Sequence, residues 1–245
     1  MNATSDSSEE PVIELEGITV VLGKNNVLSD INLKIFKGEY IGLIGKNGSG
    51  KSTLIKTILG IIRPTSGYVK VFGKPLNAAS YKKIGYTPQM QFIDHEFPAT
   101  VGEVVAMGLY KNKPLLSRMT NEDLDRVQLA LHKVKMEDYI NRPIGHLSGG
   151  EQQKVLVAQA LVMEPEILLM DEPTSALDFL IIDDFLKLLT ELNKKYGITL
   201  LVIQHNLELL LPYCSRLIML RRAIMYDGNP TAPGVRDMLM QVFST

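Results

Sequence analysis

The stretch "EYIGLIGKNGSGKSTLIKTILG", residues 39–60, constrains the fold more than any other part of the chain. Gly45, Gly50, Lys51 and Ser52 fill the pattern G-x-x-x-x-G-K-[ST], between an apolar run of strand length and a helix-forming run. Glycines let such a loop wrap, so that successive backbone N–H groups and the N-terminus of the next helix point at phosphate oxygens. Gly45, Lys46, Asn47, Gly48, Ser49, Gly50, Lys51, Ser52 and Thr53 are therefore the expected cradle of a nucleotide. Lys51 is expected to reach the β- and γ-phosphates. Ser52 is expected to offer a hydroxyl to Mg²⁺, a hard octahedral ion usually shared between phosphates and a few protein oxygens. The bland alternative is a glycine turn that happens to match.

A second strand end completes the phosphate chemistry. "EILLM" runs into Asp171 and Glu172, and Pro173 cannot continue a central strand. Ligands of a parallel sheet gather at the carboxyl ends of its strands, which lets Asp171 face the metal shell beside the phosphate loop. Glu172, one residue on, is the expected group to orient or deprotonate water near a γ-phosphate, and this favours hydrolysis over binding alone. His205 closes another apolar run, "ITLLVIQ", and is either a structural histidine or a ring N–H donor to the γ-phosphate. Gln89 in "IGYTPQM" is either a loop amide or an oxygen ligand for Mg²⁺ or the attacking water.

The segment "HLSGGEQQK", residues 146–154, starts a helix with two glycines, each costing about 1 kcal/mol relative to alanine. Ser148 and Glu151 stand in the S-x-x-E relation of a capping box, which satisfies the first orphan amides of a helix. The box leaves Gly149 and Gly150 unexplained, and their smallness suggests that something approaches that backbone.

For the rest, residues 12–40 alternate around turn residues as antiparallel strands do. From "YIGLIG" onward short buried strands and helices alternate, as in a parallel α/β sheet, interrupted by a helical insertion over about residues 92–155. "RLIMLRRAIMYDGNP" reads as strand and hairpin. An acidic, disordered tail is expected over 1–10, followed by a single α/β domain over 11–245. A formal net charge of -1 argues against a general nucleic-acid surface. The lone Cys214 rules out an internal disulfide and, in apolar surroundings, reads as a buried structural thiol. No secretory signal is evident, and no apolar run approaches the ~20 residues of a membrane span. If the protein serves a membrane, it does so from the surface.

These motifs resemble, over nearly the whole chain after the tail and in the same order, the ATP-binding subunits of ATP-binding cassette (ABC) transporters: "GKNGSGKST", the glutamine loop at Gln89, the signature "LSGGE", "ILLMDEP", the D-loop "SALD" and the switch His205. The resemblance implies an α/β P-loop NTPase (RecA-like) core with an N-terminal antiparallel β subdomain and a helical signature subdomain. It implies a head-to-tail pair with a second copy or a paralogous cassette. Leu147, Ser148, Gly149, Gly150 and Glu151 of one subunit would then act in trans on ATP held by the other, with Asp178 of "SALD" linking the two sites. It also implies an integral membrane permease, an extracytoplasmic substrate-binding protein and a peripheral place on the cytoplasmic face. The segment "MQFIDHEFPATVGEVVAMG" is most similar to the branch that imports zinc, manganese or iron(II), where it would help dock the permease. A cargo site at "DHE", Asp94 to Glu96, is disfavoured, because three adjacent residues on a loop make a poor preorganised cage.

Three departures from the family pattern stand out. Leu22 falls where an aromatic commonly stacks on adenine, which implies weaker base selection. Gln159 stands where arginine is frequent, and His146 where an acid is frequent. The reading that results is an ATP-hydrolysing subunit, with Glu172, His205 and Gln89 at the chemistry and Ser52, Gln89 and Asp171 around Mg²⁺, coupled to a divalent-metal permease. Its rivals are the ATPase of an iron-chelate or haem importer, a soluble cassette ATPase, and a nucleotide-dependent binding module with little turnover.

Overall fold

The computed structural model describes residues 10–89, 93–112, 119–175, 177–204 and 207–235. Of the expected tail only Glu10 falls within them, and His205 lies outside them. The strands are β1 (Ile13–Leu22), β2 (Asn25–Ile35), β3 (Tyr40–Ile44), β4 (Ser66–Val71), β5 (Lys74–Pro75), β6 (Ile84–Thr87), β7 (Ile167–Asp171), β8 (Thr199–Ile203), β9 (Arg216–Arg221) and β10 (Ala223–Gly228). The helices are α1 (Lys51–Ile58), α2 (Ala78–Lys82), α3 (Val101–Ala106), α4 (Asn121–Lys133), α5 (Gly149–Leu161), α6 (Phe179–Tyr196) and α7 (Leu207–Leu210).

The opening strands form an antiparallel sheet in the order β2-β1-β4-β5. In β1 the buried positions pass from Ile13 and Leu15 to Ile18 and Val20, a change of parity that a regular strand forbids. A register shift between Leu15 and Ile18, with Gly17 at φ 60, supplies the extra residue.

The second sheet has the order β10-β9-β3-β8-β7-β6 and is parallel except for the β9–β10 hairpin. Its central strands are buried on both faces, which is why they read as continuous apolar runs. Alternation divides them: Tyr40, Ile44, Leu168, Met170, Leu200 and Val202 join a core with α3, α4, α5 and α6. Ile41, Leu43, Ile167, Leu169, Leu201 and Ile203 join a second core with α1 and the antiparallel sheet. Two layers are thus tied to one sheet, whose carboxyl edge carries the phosphate loop after β3 and Asp171 at the end of β7.

Helices α3, α4 and α5 lie between Val101 and Leu161, and α5 continues past 155 because Val157, Ala158 and Leu161 still face the core. Cys214 is buried and free, and burial pushes its thiol up to about 11. No helix among the described residues is long and apolar enough to cross a membrane.

Candidate functional site

The phosphate loop is built by close approach. A Cβ on Gly45 would lie 2.3 Å from the Leu220 carbonyl oxygen and 2.5 Å from Ser49 Oγ, so the loop packs against β9 only with glycine there. Gly50, at φ 103, is the N-cap of α1, and a Cβ there would come within 2.7 Å of Leu28 Cδ2. No side chain caps α1, so the amides of its first turn are left for an anionic ligand.

Lys51 is 5% exposed and folds back over the loop, its Nζ donating to the carbonyls of Gly45 at 2.8 Å and Lys46 at 3.1 Å. Burial lowers its pKa, against the opposing pull of Glu172 and Asp171. Ser52 Oγ donates to Asp171 Oδ1 at 3.1 Å, across a sequence gap of 119 residues. Desolvation raises the pKa of Asp171, the Ser52 hydrogen bond opposes that, and nearby Glu172 adds to it. Gln89 Nε2 donates to Glu172 Oε2 at 2.9 Å, and Glu172 itself sits at φ 50, a left-handed conformation that a non-glycine residue adopts at a cost of about 1–3 kcal/mol.

These groups surround a cavity of about 380 Å³ lined by Asn47 to Thr53, Gln89, Glu172 and Val27. A larger groove of about 760 Å³ lies elsewhere, between the end of α1, β6 and the α3–α5 layer. It is mainly apolar, and its lining offers no loop of backbone amides for phosphate. The smaller cavity is the one suited to a nucleotide. Ser52 lines this cavity and Asp171 does not, but the Asp171 carboxylate stands one hydrogen bond from Ser52 Oγ, and these paired hard oxygens fit an octahedral cation that keeps most of its positions for water and phosphate.

The other expected residues fall elsewhere. Ser148 and Glu151 form the expected capping box: Ser148 N–H donates to Glu151 Oε2 at 2.8 Å and Glu151 N–H to Ser148 Oγ at 3.4 Å. No signature residue lines the phosphate cavity of its own chain. Gly150 has a local reason for its smallness that the sequence did not reveal: a Cβ there would lie 2.7 Å from Ile181 Cγ2 on α6. Leu22 is 46% exposed in the β1–β2 hairpin and does not line the phosphate cavity, whereas Val27 does. Asp178 is exposed at the N-cap of α6. Gln159 Nε2 donates to the Val104 carbonyl at 2.9 Å and so ties α5 to α3.

Two polar clamps have no motif in the sequence to mark them. Buried Gln204, at the end of β8, donates to Thr174 Oγ1 at 2.5 Å and holds the turn after Glu172 against the sheet. Gln152, 3% exposed on the first turn of α5, accepts from Ile93 N–H at 3.1 Å and donates to the carbonyls of Ile93, Ile144 and Leu147 at 3.3–3.4 Å. It binds the loop beyond Gln89 to the signature. The sequence marks Gln152 and Gln204 only as polar residues beside known motifs.

The family described as "ABC transporter" matches residues 28–175. The zinc uptake system ATP-binding protein ZurA of Listeria innocua is 41% identical over 220 residues, covering 89% of this chain and 86% of that protein. The manganese transport system ATP-binding protein MntB of Bacillus subtilis is 42% identical over 212 residues, covering 85% and 82%. Among solved structures, a dimeric post-hydrolysis state of an ATP-binding cassette bound to ADP and Pi superposes with a TM-score of 0.72 at 28% identity, covering 90% of this chain and 99% of that one.

Proposed function

The chain belongs to the ABC transporter family of ATP-binding cassettes, and on that premise we propose that it is the ATP-hydrolysing, energy-coupling subunit of an importer of divalent metal ions, zinc or manganese. The observation that carries the hydrolytic part is the meeting of Gln89 with Glu172 and of Ser52 with Asp171 at one phosphate cavity. The metal cargo rests on the named roles of relatives at 41–42% identity.

In this reading residues 11–245 form one ATP-binding domain behind a short acidic tail. Lys51 exchanges its loop carbonyls for phosphate oxygens, whose charge offsets its desolvation. Ser52, Asp171 and the Gln89 side-chain oxygen are the groups that would hold Mg²⁺, which when bound supplies charge neutralisation between the phosphates. Glu172 Oε2, parked on Gln89 in this state, turns to orient the attacking water once that hydrogen bond is exchanged. His205 serves the γ-phosphate, and Leu22 covers the base from the hairpin. The signature Leu147 to Glu151 acts on the nucleotide of a second cassette, and Asp178 links the two sites.

The 760 Å³ groove takes a cytoplasmic segment of the permease. Its lining includes Ile61, 64% exposed, and Met107, 47% exposed, and it touches both β6, which leads into Gln89, and α5, which carries the signature. A substrate-binding protein on the far side of the membrane completes the system. The test is Glu172→Gln in the cassette reconstituted with its permease: ATP binding is retained, while turnover and radiolabelled zinc or manganese uptake fall by at least about 100-fold. Undiminished turnover removes Glu172 from its role, and uptake of neither ion by the wild-type complex overturns the cargo assignment.

A further inference from the structure

Two residues that the function leaves unused come together at the seam between the docking segment and the signature. His95 lies in the "DHE" turn, and His146 immediately precedes the signature "LSGGE". Their imidazole rings stack with centroids 4.5 Å apart and planes inclined by 28°. Both side chains are exposed. A Cβ on Gly145 would lie 2.4 Å from the His95 carbonyl oxygen, so the two segments touch backbone to backbone. The buried Gln152 amide fastens Ile93 on one side and Leu147 on the other.

Zn–N bonds of about 2.1 Å at a tetrahedral angle put the centroids of two chelating imidazoles about 5 Å apart. The observed centroid separation lies close to that value, and chelation requires both exposed rings to turn out of their stack about their own side-chain bonds until one in-plane nitrogen of each faces the ion. We propose that His95 and His146 form a two-imidazole site for a divalent transition-metal ion of the zinc class. Neutral imidazole selects such ions over Mg²⁺ and Ca²⁺, which prefer oxygen. Among the described residues no group of three or more His, Cys, Asp or Glu side chains is arranged to hold a metal, so the remaining positions of the ion go to water. Binding is accordingly weak and reversible, as befits a site that fills only when free ion is plentiful. An ion seated there cross-links the docking segment to the start of the signature. The site is separate from the nucleotide cavity and stands whether or not the transported cargo is a metal.

The experiment is a Zn²⁺ titration of the full chain against a chromophoric chelator, on the wild type and on His95→Asn, His146→Asn and His132→Asn. His132 pairs with Glu137 at 2.9 Å and is the internal control for surface imidazole binding. One Zn²⁺ is expected per wild-type chain. His95→Asn and His146→Asn each weaken binding at least about tenfold, no less than the loss of an outer-shell partner costs a metal site, and His132→Asn leaves it unchanged. Because both rings are exposed, the variants keep the far-ultraviolet circular dichroism of the parent. No Zn²⁺ uptake by the wild type, or uptake that survives both substitutions, overturns the proposal.

Discussion

At the end of β3 the phosphate loop finds its partners inside the same chain: Ser52 bonds Asp171, Gln89 bonds Glu172, and Gly50 leaves the first turn of α1 without a side-chain cap. At the start of α5 the arrangement is reversed. Ser148 and Glu151 cap the helix between themselves, and none of the signature residues reaches the phosphate cavity. Two helix N-termini with the same dipole are therefore prepared differently. The first presents open amides to an anion, whereas the second already holds the Glu151 carboxylate and has only its glycine surface to offer a second phosphate. The phosphate-loop end is thus built from contacts within one chain around an open helix N-terminus, whereas the N-terminus of α5 is closed by its own capping box.

The largest effect that can break this contrast is expected from Gly149→Asp. A carboxylate at that surface repels the phosphate of a facing subunit, so ATP-driven dimerisation, followed by size-exclusion chromatography in the Glu172→Gln background, is abolished while nucleotide binding to the monomer is retained. Dimerisation that persists would remove the signature from the interface. Next in size is Gly150→Ala, which acts within the chain. Contact with Ile181 costs about 1–3 kcal/mol of overpacking, against a helix-propensity gain of up to about 1 kcal/mol, for a net loss read by denaturant unfolding. Adding Ile181→Ala should return part of that loss, and absence of coupling between the two would refute the contact.

Asp171 sharpens the loop side. Its folded pKa is raised, chiefly by burial, so the folded state holds this proton more tightly than the unfolded chain does. Stability associated with that proton is present below the unfolded value of about 4 and is lost as pH rises through the folded value. Asp171→Asn should therefore melt higher than the wild type at pH 7 without nucleotide, with the gap closing toward pH 4, while hydrolysis is lost. Equal melting temperatures across that range would contradict the desolvation argument. The smallest effect belongs to Glu151→Gln, which keeps a capping side chain but removes its charge. It should lower stability by about 0.3–1 kcal/mol and shift ATP-driven dimerisation to lower ATP concentration, because the carboxylate no longer competes with phosphate.

Most of the architecture was legible because it follows from local patterns. Continuous apolar runs between turn residues identify the parallel strands, alternation marks the first sheet, and the S-x-x-E spacing predicts the cap that Ser148 and Glu151 form. Helix boundaries were less legible: α5 extends to Leu161 because tertiary burial holds its second half. Within the site, the spacing of the phosphate loop and the two carboxylates at the end of β7 pointed to their own chemistry. Val27, Gln152 and Gln204 carried no such mark, since their roles depend on what stands opposite them. Gly150 is the instructive case. Its smallness was legible as a demand for close approach, and the structure adds a neighbour, Ile181, that no spacing rule connects to it.

By itself, then, the sequence determined the order of elements, the phosphate-binding backbone and the identity of the acid and amide groups at the carboxyl edge of the sheet, because each depends on residues within a turn or two of one another. Only the tertiary structure decided that Gln89 rests on Glu172, that Gln152 ties the loop at Ile93 to Leu147 before α5, and that His95 lies against His146. Those meetings are set by how the helical layer and the antiparallel sheet pack on the two faces of the parallel sheet, where one residue of shift in register or a single added methyl group changes which side chains touch.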